Sequence, residues 1–358
     1  MGKKVSVRDV AAAAGSSIAS VSRALNNTGY VSADLRRRVE HAVQATGYAP
    51  SFAARHRRTG RSRAVGFMVS SIANPFLASL FAEVERRMQF AGYALLVASS
   101  YDQPAREQEL VALFESRQLE GIIASPGVET LPRASNPFAQ TALPLVIIDR
   151  EIECDGDVVY IDHRTGVRQA VEYLVSLGHT RIALFGPSTA LRTGREKVLG
   201  YRDGCEAAGI AYDPLLICMS RSSIDSPQAQ MADMLRLPSP PTALIGLGTR
   251  ILSGAMFAAR RAGLVIPRDL SVVGIGTEEV FAFMDPPMTS LRFDLAKTAQ
   301  AVADLMLNRL GAVKPPPPQK VSVPLDLVIG GSCVHPQPRS VLLPEPSAPP
   351  GSGPAASR

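Results

Sequence analysis

Apolar residues recur at helical spacing through the first 47 residues of the chain. Ser6 and Asp9 have the spacing of a capping box, Gly15 interrupts the pattern, and Gly47 ends it. The apolar positions are Val7, Val10, Ala11 and Ala14, then Ile18, Val21, Ala24 and Leu25, then Leu35, Val39, Ala42 and Val43. Three short helices are therefore predicted, and the glycine-containing turn between the first two is typical of a helix-turn-helix.

From Ala64 onward the pattern changes to short apolar runs that alternate with helical segments, among them helices predicted at 165–177 and 194–208. Strands are predicted at 64–70, 93–99, 121–125, 144–149, 158–162, 181–187, 215–220, 242–248 and 271–277. Repeated strand–helix units favour parallel, doubly wound sheets with helices on both faces. About 270 residues is more than one such sheet usually takes, so we expect two similar α/β lobes.

These patterns divide the chain into four predicted segments. They are an all-α helix-turn-helix domain at 1–48, a basic linker at 49–62, a two-lobed α/β domain at 63–334, and a disordered Pro-rich tail at 335–358. Within the two-lobed domain, the N-lobe is expected at about 63–162 and 290–322, and the C-lobe at about 163–289 and 323–334.

Positive charge is concentrated at the N-terminus. Residues 1–63 hold 12 Lys or Arg against three acids, a net +9, which leaves −3 on the remainder of a chain whose total is +6. A whole segment this basic is typical of a module that binds a polyanion. The first residues lack the apolar stretch of a signal peptide, and no apolar run reaches the ~18 residues of a membrane span. The four scattered cysteines show no metal-ligand spacing, so we expect a cytoplasmic protein without membrane, metal or cofactor.

Residues 16–23 have the chemistry of a helix that contacts bases in the major groove of DNA. Serine hydroxyls can bond phosphates or bases, Ile18 and Ala19 can contact thymine methyl groups, and Arg23 can donate two hydrogen bonds to guanine. An exposed face of an ordinary helical bundle would show the same residue types, so this pattern alone leaves both interpretations open.

The N-terminal segment resembles the opening of LacI/GalR-family repressors in its DVA at 9–11, VSRALN at 21–26 and GYV at 29–31. The resemblance continues with VIIDR at 146–150, GHTRIALFGP at 178–187, RRAGLVIPRDLSVVG at 260–274 and DPPMTSLR at 285–292, and covers about residues 3–333. It implies that 49–62 is a hinge and that 63–334 is a periplasmic-binding-protein-like effector-binding and dimerisation domain of two lobes. It also implies a homodimeric transcriptional regulator that binds a near-palindromic, double-stranded operator.

The resemblance also implies which N-terminal residues contact DNA. Those facing the major groove are Ser17, Ile18, Ala19, Ser20 and Arg23, and those near phosphates are Ser6, Ser22 and Asn26. In the hinge, Ala54 and Arg55 match the family motif, but Arg57 stands where the family has a leucine that enters the minor groove. Because an arginine is attracted by a narrow minor groove and cannot wedge base pairs apart, we expect a gentler bend of the operator.

The sensor departs from the family at its effector site. Where sugar- and nucleoside-sensing members carry an Asn-Asp pair and a second Asp, this chain has the similar turns GLGT at 246–249 and GIGT at 274–277. The residues expected to bind the effector are Asn74, Phe76, Asp149, Arg150, Lys197, Arg221, Gly248, Thr249, Arg250 and Thr277. Loss of acids and gain of cations favour an anionic effector, such as gluconate, ketogluconate or a related carboxylate. Glycines that merely make tight turns, and arginines 150 and 192 at the surface, are the alternatives.

An enzyme and a solute-binding protein are the two alternatives to a DNA-binding regulator. An enzyme is disfavoured because 186–197 lacks phosphate-loop spacing, and because His41, His163 and His179 have no nucleophile partner in the sequence and suit core or surface roles. A two-lobed solute-binding protein for a neutral sugar is disfavoured by the basic N-terminal module. The tail lacks the leucine heptads of the family's tetramers, so a dimer is expected. Whether the effector promotes or releases DNA binding is left open.

Overall fold

The structure is a computed structural model, and it describes residues 5–26, 30–48, 61–220, 226–281, 284–314 and 316–337. The chain divides between Arg63 and Ala64 into two compact units. The hinge candidates Ala54, Arg55 and Arg57 lie outside the described residues, as do Arg221 and residues 338–358. The predicted hinge and tail therefore stay predictions.

The described residues of the first unit form three helices, α1 (Val7–Ala13), α2 (Ile18–Asn26) and α3 (Ala33–Thr46). Each begins where the sequence provides a cap or a turn: the Ser6 backbone amide donates to Asp9 at 2.7 Å, and Ser32 Oγ accepts from the Leu35 amide at 3.3 Å. Gly47 ends α3 in the left-handed conformation, with φ 64°. Val10, Val21 and Val39 are buried in the shared core, one from each helix, so the predicted helix-turn-helix is confirmed.

The second unit contains two six-stranded sheets. The strands of the first are β1 (Ala64–Val69), β2 (Ala94–Ser99), β3 (Ile122–Ala124), β4 (Leu145–Ile148), β5 (Asp157–Ile161) and β11 (Lys320–Val323), and those of the second are β6 (Ile182–Gly186), β7 (Ile217–Met219), β8 (Ala243–Gly246), β9 (Ser271–Gly276), β10 (Thr289–Phe293) and β12 (Leu325–Val328). The strand orders are β11-β5-β4-β3-β1-β2 and β12-β10-β9-β8-β6-β7. Every pairing between described strands is parallel except β10 with β12, so the predicted doubly wound lobes are confirmed.

Helices cover both faces of each sheet. They are α4 (Pro75–Phe90), α5 (Pro104–Ser116), α6 (Pro137–Gln140) and α12 (Leu295–Gly311) in the first lobe, and α7 (His163–Ser176), α8 (Arg192–Ala207), α9 (Gln228–Leu235), α10 (Thr249–Arg261) and α11 (Glu278–Phe281) in the second. Short 3-10 turns occupy Arg133–Ser135 and Pro214–Leu216, so the strand predicted at 215–220 begins later, at Ile217. Helices α4 and α12 share one core, and a buried pair of Arg309 on α12 with Asp157 on β5, at 2.6 and 2.7 Å, joins helix to sheet.

The chain passes between the lobes three times, after β5, after β10 and after β11. The second crossing, from the C-lobe back to the N-lobe, is predicted at about residue 290. Strand β10 pairs with β9 and β12 in the second sheet, so this crossing begins at Asp294. Likewise Val323 pairs with Ile161 in the first sheet and belongs to the N-lobe. Both boundaries were misplaced because strand pairing is set by distant residues and leaves little local signal. Within the described part of the chain, no helix combines the length and the apolar character needed to cross a membrane.

Candidate functional site

Helix α2 presents the predicted DNA-contacting residues on its exposed side. Ser17, Ala19 and Arg23 are exposed, and Ile18 is 45% exposed even though it is a large apolar residue at the N-terminus of the helix. Ser17 Oγ accepts from the Ser20 amide at 3.1 Å and so caps the helix. An apolar tip followed by an exposed guanidinium suits contact with thymine methyl groups and guanine.

The other residues predicted to contact DNA are Ser6, Ser22 and Asn26. The Ser6 hydroxyl lies 2.7 Å from the Asp9 carboxylate and helps to start α1, and Ser22 is half-buried. Asn26 ends α2, and its side chain lies outside the described residues. Their contacts with phosphates stay predictions.

A cavity of about 550 Å³ lies between the two lobes, at the carboxyl ends of their parallel strands. Open α/β sheets bind ligands at this edge, because the loops after the strands converge there. All nine described candidates line it: Asn74, Phe76, Asp149, Arg150, Lys197, Gly248, Thr249, Arg250 and Thr277. The structure thus brings them together, and their contact with an effector stays a prediction.

Asp149 is engaged by protein groups on both oxygens, which alters the role that its position suggested. Oδ2 lies 2.7 Å from His163 Nε2, while Oδ1 accepts from the Ile161 amide and from Arg192 Nη1, both at 3.2 Å. Burial raises the pKa of this carboxyl, but His163, Arg150 and the Ile161 amide together outweigh burial, and the pKa falls to about 2. Asp149 is therefore a fixed anion in the cavity wall and has little capacity left for an effector hydroxyl.

His163 is a cavity residue that sequence reasoning assigned to a core or surface role. It begins α7 directly after β5, and burial lowers the pKa of its imidazole, so the ring is neutral and donates from Nε2 to Asp149. Its Nδ1 is buried and has no hydrogen-bond partner among the described residues. The neutral ring therefore keeps an unused acceptor, Nδ1, beneath the surface of the cavity wall. Its position at the carboxyl end of a strand was the available signal.

Lys197 is 6% exposed, and its ammonium forms no hydrogen bond or ion pair with any described residue. Burial lowers its pKa to about 8, against the favourable charge of Asp149. Arg150 is bound through Nε to the Pro126 carbonyl at 2.6 Å, and Arg192 stacks over Tyr160 at 4.1 Å. Neither arginine is a loose surface residue. Among the described residues that line the cavity, three cations, Arg150, Lys197 and Arg250, face two carboxylates, Asp102 and Asp149, so one bound anion would balance the charge.

The two glycine-threonine turns, 246–249 and 274–277, present different polar groups at the cavity. In the first, Gly248 occupies the N-cap position of α10 and provides no side-chain cap, and this helix N-terminus lines the cavity through Gly248, Thr249 and the exposed Arg250. In the second, Thr277 is 2% exposed and its hydroxyl has no partner among the described residues. Tight packing does explain Gly246 and Gly274, where a Cβ would crowd Leu252 and Phe281.

Phe76 and Phe293 close one wall of the cavity. Their ring centroids are 4.0 Å apart, and they come from different lobes, on α4 and at the end of β10. The Asn74 side-chain oxygen accepts from the Phe76 amide at 3.1 Å and caps α4, and its amide nitrogen is the donor that it can offer a ligand. His179, in contrast, lies away from the cavity and bonds Thr242, Ser271 and the Val334 carbonyl, which is the core role predicted for it.

The chain matches two family models. Residues 6–51 match bacterial regulatory proteins of the lacI family, and residues 171–333 match the periplasmic binding protein-like domain. The HTH-type transcriptional repressor CytR of Escherichia coli (strain K12) is 30% identical over 298 residues, 82% of this chain and 87% of the relative. The HTH-type transcriptional regulator DegA of Bacillus subtilis (strain 168) is 29% identical over 329 residues, 91% and 97% of the two chains.

A solved structure extends this similarity over nearly the whole chain. The crystal structure of the lac repressor dimer bound to operator and the anti-inducer ONPF superposes with a TM-score of 0.81 at 26% identity. The alignment covers 93% of this chain and 100% of that one. The relatives are transcriptional regulators and not enzymes.

Proposed function

This chain belongs to the LacI family of bacterial regulatory proteins, and we propose that it is a homodimeric repressor whose operator affinity is set by an anionic effector bound between its lobes. The exposed Ile18 and Arg23 on α2 provide the base-reading surface. The net +9 of residues 1–63 provides the sequence-independent attraction to phosphates. In the related lac repressor structure, a dimer holds the operator.

The edge of the first sheet supports assembly with a second copy of the chain. Strand β2 lies at that edge, and its Leu96 and Val97 are each 42% exposed. Exposed apolar residues on an edge strand favour association with another chain. A homodimer would cover them and would match the two-fold symmetry of a palindromic operator. Light scattering of a Val97→Lys variant tests this: the variant should run as a monomer, and a dimer of unchanged stability would exclude this edge.

The observation that carries the choice of effector is Lys197, whose side chain is 6% exposed and whose ammonium forms no hydrogen bond or ion pair with any described residue. The favourable charge of Asp149 does not offset burial, since the pKa of Lys197 is still lowered to about 8, and an anion in the cavity would stabilise the charged form. The cavity also holds seven Ser and Thr hydroxyls: Ser70, Ser71, Ser125, Ser188, Thr193, Thr249 and Thr277. A carboxylate with several hydroxyls, such as gluconate or ketogluconate, fits both features.

Calorimetry with matched ligands tests the anionic effector. Gluconate and 2-ketogluconate should bind the full-length protein, while glucose, which has a similar carbon skeleton without the carboxylate, should not. Lys197→Gln should weaken anion binding by about tenfold or more, whereas Lys314→Gln, at an exposed position, should leave it unchanged. Tight binding of a neutral sugar, with no binding of any aldonate or keto acid, would reject the proposal.

A further inference from the structure

Helix α8 begins without a cap from its own lobe. Leu191 occupies the N-cap position and has no side-chain hydrogen bond to offer. The amide of Arg192, the first residue of the helix, instead donates to Glu129 Oε2 at 2.7 Å. Glu129 lies in the loop after β3, in the other lobe, and its side chain is 2% exposed. One lobe therefore supplies the negative charge that the helix N-terminus of the other lobe requires.

The Glu129 carboxylate is held in place on both sides. Its Oε1 accepts from the Glu151 amide of its own lobe at 3.0 Å, and its Oε2 also accepts from Arg195 Nη2 at 2.9 Å. Arg195 further contacts the Glu151 carboxylate at 2.9 Å, but that carboxylate is 65% exposed. The buried contact of Glu129 is thus distinct from the exposed one of Glu151, although both reach the same arginine.

This arrangement depends on how close the lobes are. Separation of the lobes would leave the α8 N-terminus uncapped and the Arg195 guanidinium without its buried partner. The Glu129 carboxylate would lose two of its three hydrogen-bond donors, the Arg192 amide and the Arg195 side chain. Lys197 follows one turn later on the same helix, so the position of this cation is tied to the same contact. Glu129 itself is not among the residues that line the cavity.

We propose that Glu129, with the Arg192 amide and the Arg195 side chain, forms a closure latch that favours the lobe-closed state and fixes α8 at the effector site. Glu129 is a positioning residue in this role, because it acts through α8 and does not touch the effector. The inference rests on the proposed function only in assigning the cavity to an effector. The latch itself is a property of the protein without any ligand.

The test compares Glu129→Gln with Glu151→Gln in the full-length protein without effector. Hydrogen exchange is followed in peptides that span 191–197, and the radius of gyration is followed by small-angle X-ray scattering. Glu129→Gln should accelerate exchange in these peptides by about tenfold and should enlarge the radius of gyration. Glu151→Gln removes only the exposed contact and should change neither, and peptides from β6 should exchange as before in both variants.

Faster exchange without a larger radius would mean local fraying of α8, and it would overturn the latch, as would wild-type exchange in Glu129→Gln. If Glu129→Gln unfolds the domain, the same measurements are made on Arg195→Gln. This substitution is milder because the Arg195 side chain is 38% exposed, and because the hydrogen bond from the Arg192 amide to Glu129 is kept. The latch requires both readouts to rise in that variant too, though by less. Since no effector is present, failure of the anionic-effector proposal would leave these results unaffected.

Discussion

Nε2 of His163 lies 2.7 Å from Oδ2 of Asp149, at the junction where the chain first passes from one lobe to the other. The contact joins the end of β4 to the start of α7 inside the cavity wall. It makes a carboxylate that was predicted to bind the effector into a support for the site, and it leaves Nδ1 of the imidazole buried without a partner among the described residues.

The Asp149–His163 contact should make stability depend on acid pH. The pKa of Asp149 is lowered from 3.8 to about 2, so its contribution is fully present above about pH 4 and is lost as the pH falls through 2. Urea unfolding should therefore show wild type more stable than Asp149→Asn by about 2 kcal/mol near neutral pH, with the difference shrinking below pH 4. Asp155→Asn, on an exposed carboxylate, is the control. A difference that persists to pH 2 would contradict this interpretation.

Binding of an anion should depend on alkaline pH through Lys197. The free ammonium has a pKa of about 8, and a bound anion must raise it, because the anion stabilises the charged form. Affinity should be constant below pH 8 and should fall about tenfold per pH unit above it, until the pKa of the complex is reached. Calorimetry in buffers of different ionisation enthalpy should detect proton uptake on binding above pH 8. A profile that Lys197→Gln leaves unaltered would assign the titration to another group.

Arg23→Ala should weaken binding to a selected operator duplex by about 1–3 kcal/mol and relax base preference at one position per half-site. Its melting temperature should match wild type, because Arg23 is exposed on α2. Fluorescence anisotropy at several salt concentrations separates this loss from a loss of phosphate contacts, which would lower the salt slope. Arg261→Ala removes one exposed charge from the sensor and should leave operator binding unchanged. Equal losses on selected and random duplexes would remove Arg23 from the base-reading surface.

Gly194 should not tolerate a methyl group. A Cβ at this position in the first turn of α8 would overlap the Ser188 carbonyl, a backbone group that cannot move aside easily. We expect Gly194→Ala to lower the free energy of unfolding by about 1–3 kcal/mol and to weaken anion binding by displacing Lys197. Gly311→Ala, at the end of α12 where a Cβ meets open space, is the matched control and should be neutral or slightly stabilising. Equal stability of the two variants would show that α8 can shift without cost.

The fold could be predicted wherever the information is local. The helical spacing around Val10 and Val21, and the apolar runs from Ala64 onward, indicated the helix-turn-helix and the parallel sheets directly. The lobe to which β10 belongs could not be predicted, because Ser290 pairs with Gly274 and Val328, and such long-range register leaves no local pattern.

Some residues of the candidate site could also be identified from the sequence, and others could not. Lys197 and the two threonine turns could be picked out because the resemblance gave their positions and their chemistry departed from it. His163 offered only its position after a strand, since its partner Asp149 is 14 residues away, and Glu129 offered no signal, since Arg192 and Arg195 are more than 60 residues away. Their roles arise from tertiary contacts that only the folded lobes create.

The most direct test is the operator dissociation constant of wild type and Lys197→Gln, measured with and without a bound aldonate at matched ionic strength. We expect the aldonate to change wild-type affinity by about fivefold or more, in either direction, and to leave Lys197→Gln unchanged. An equal response of the two proteins, or a wild-type response only to neutral sugars, would contradict an anion held by Lys197 as the signal that controls operator binding.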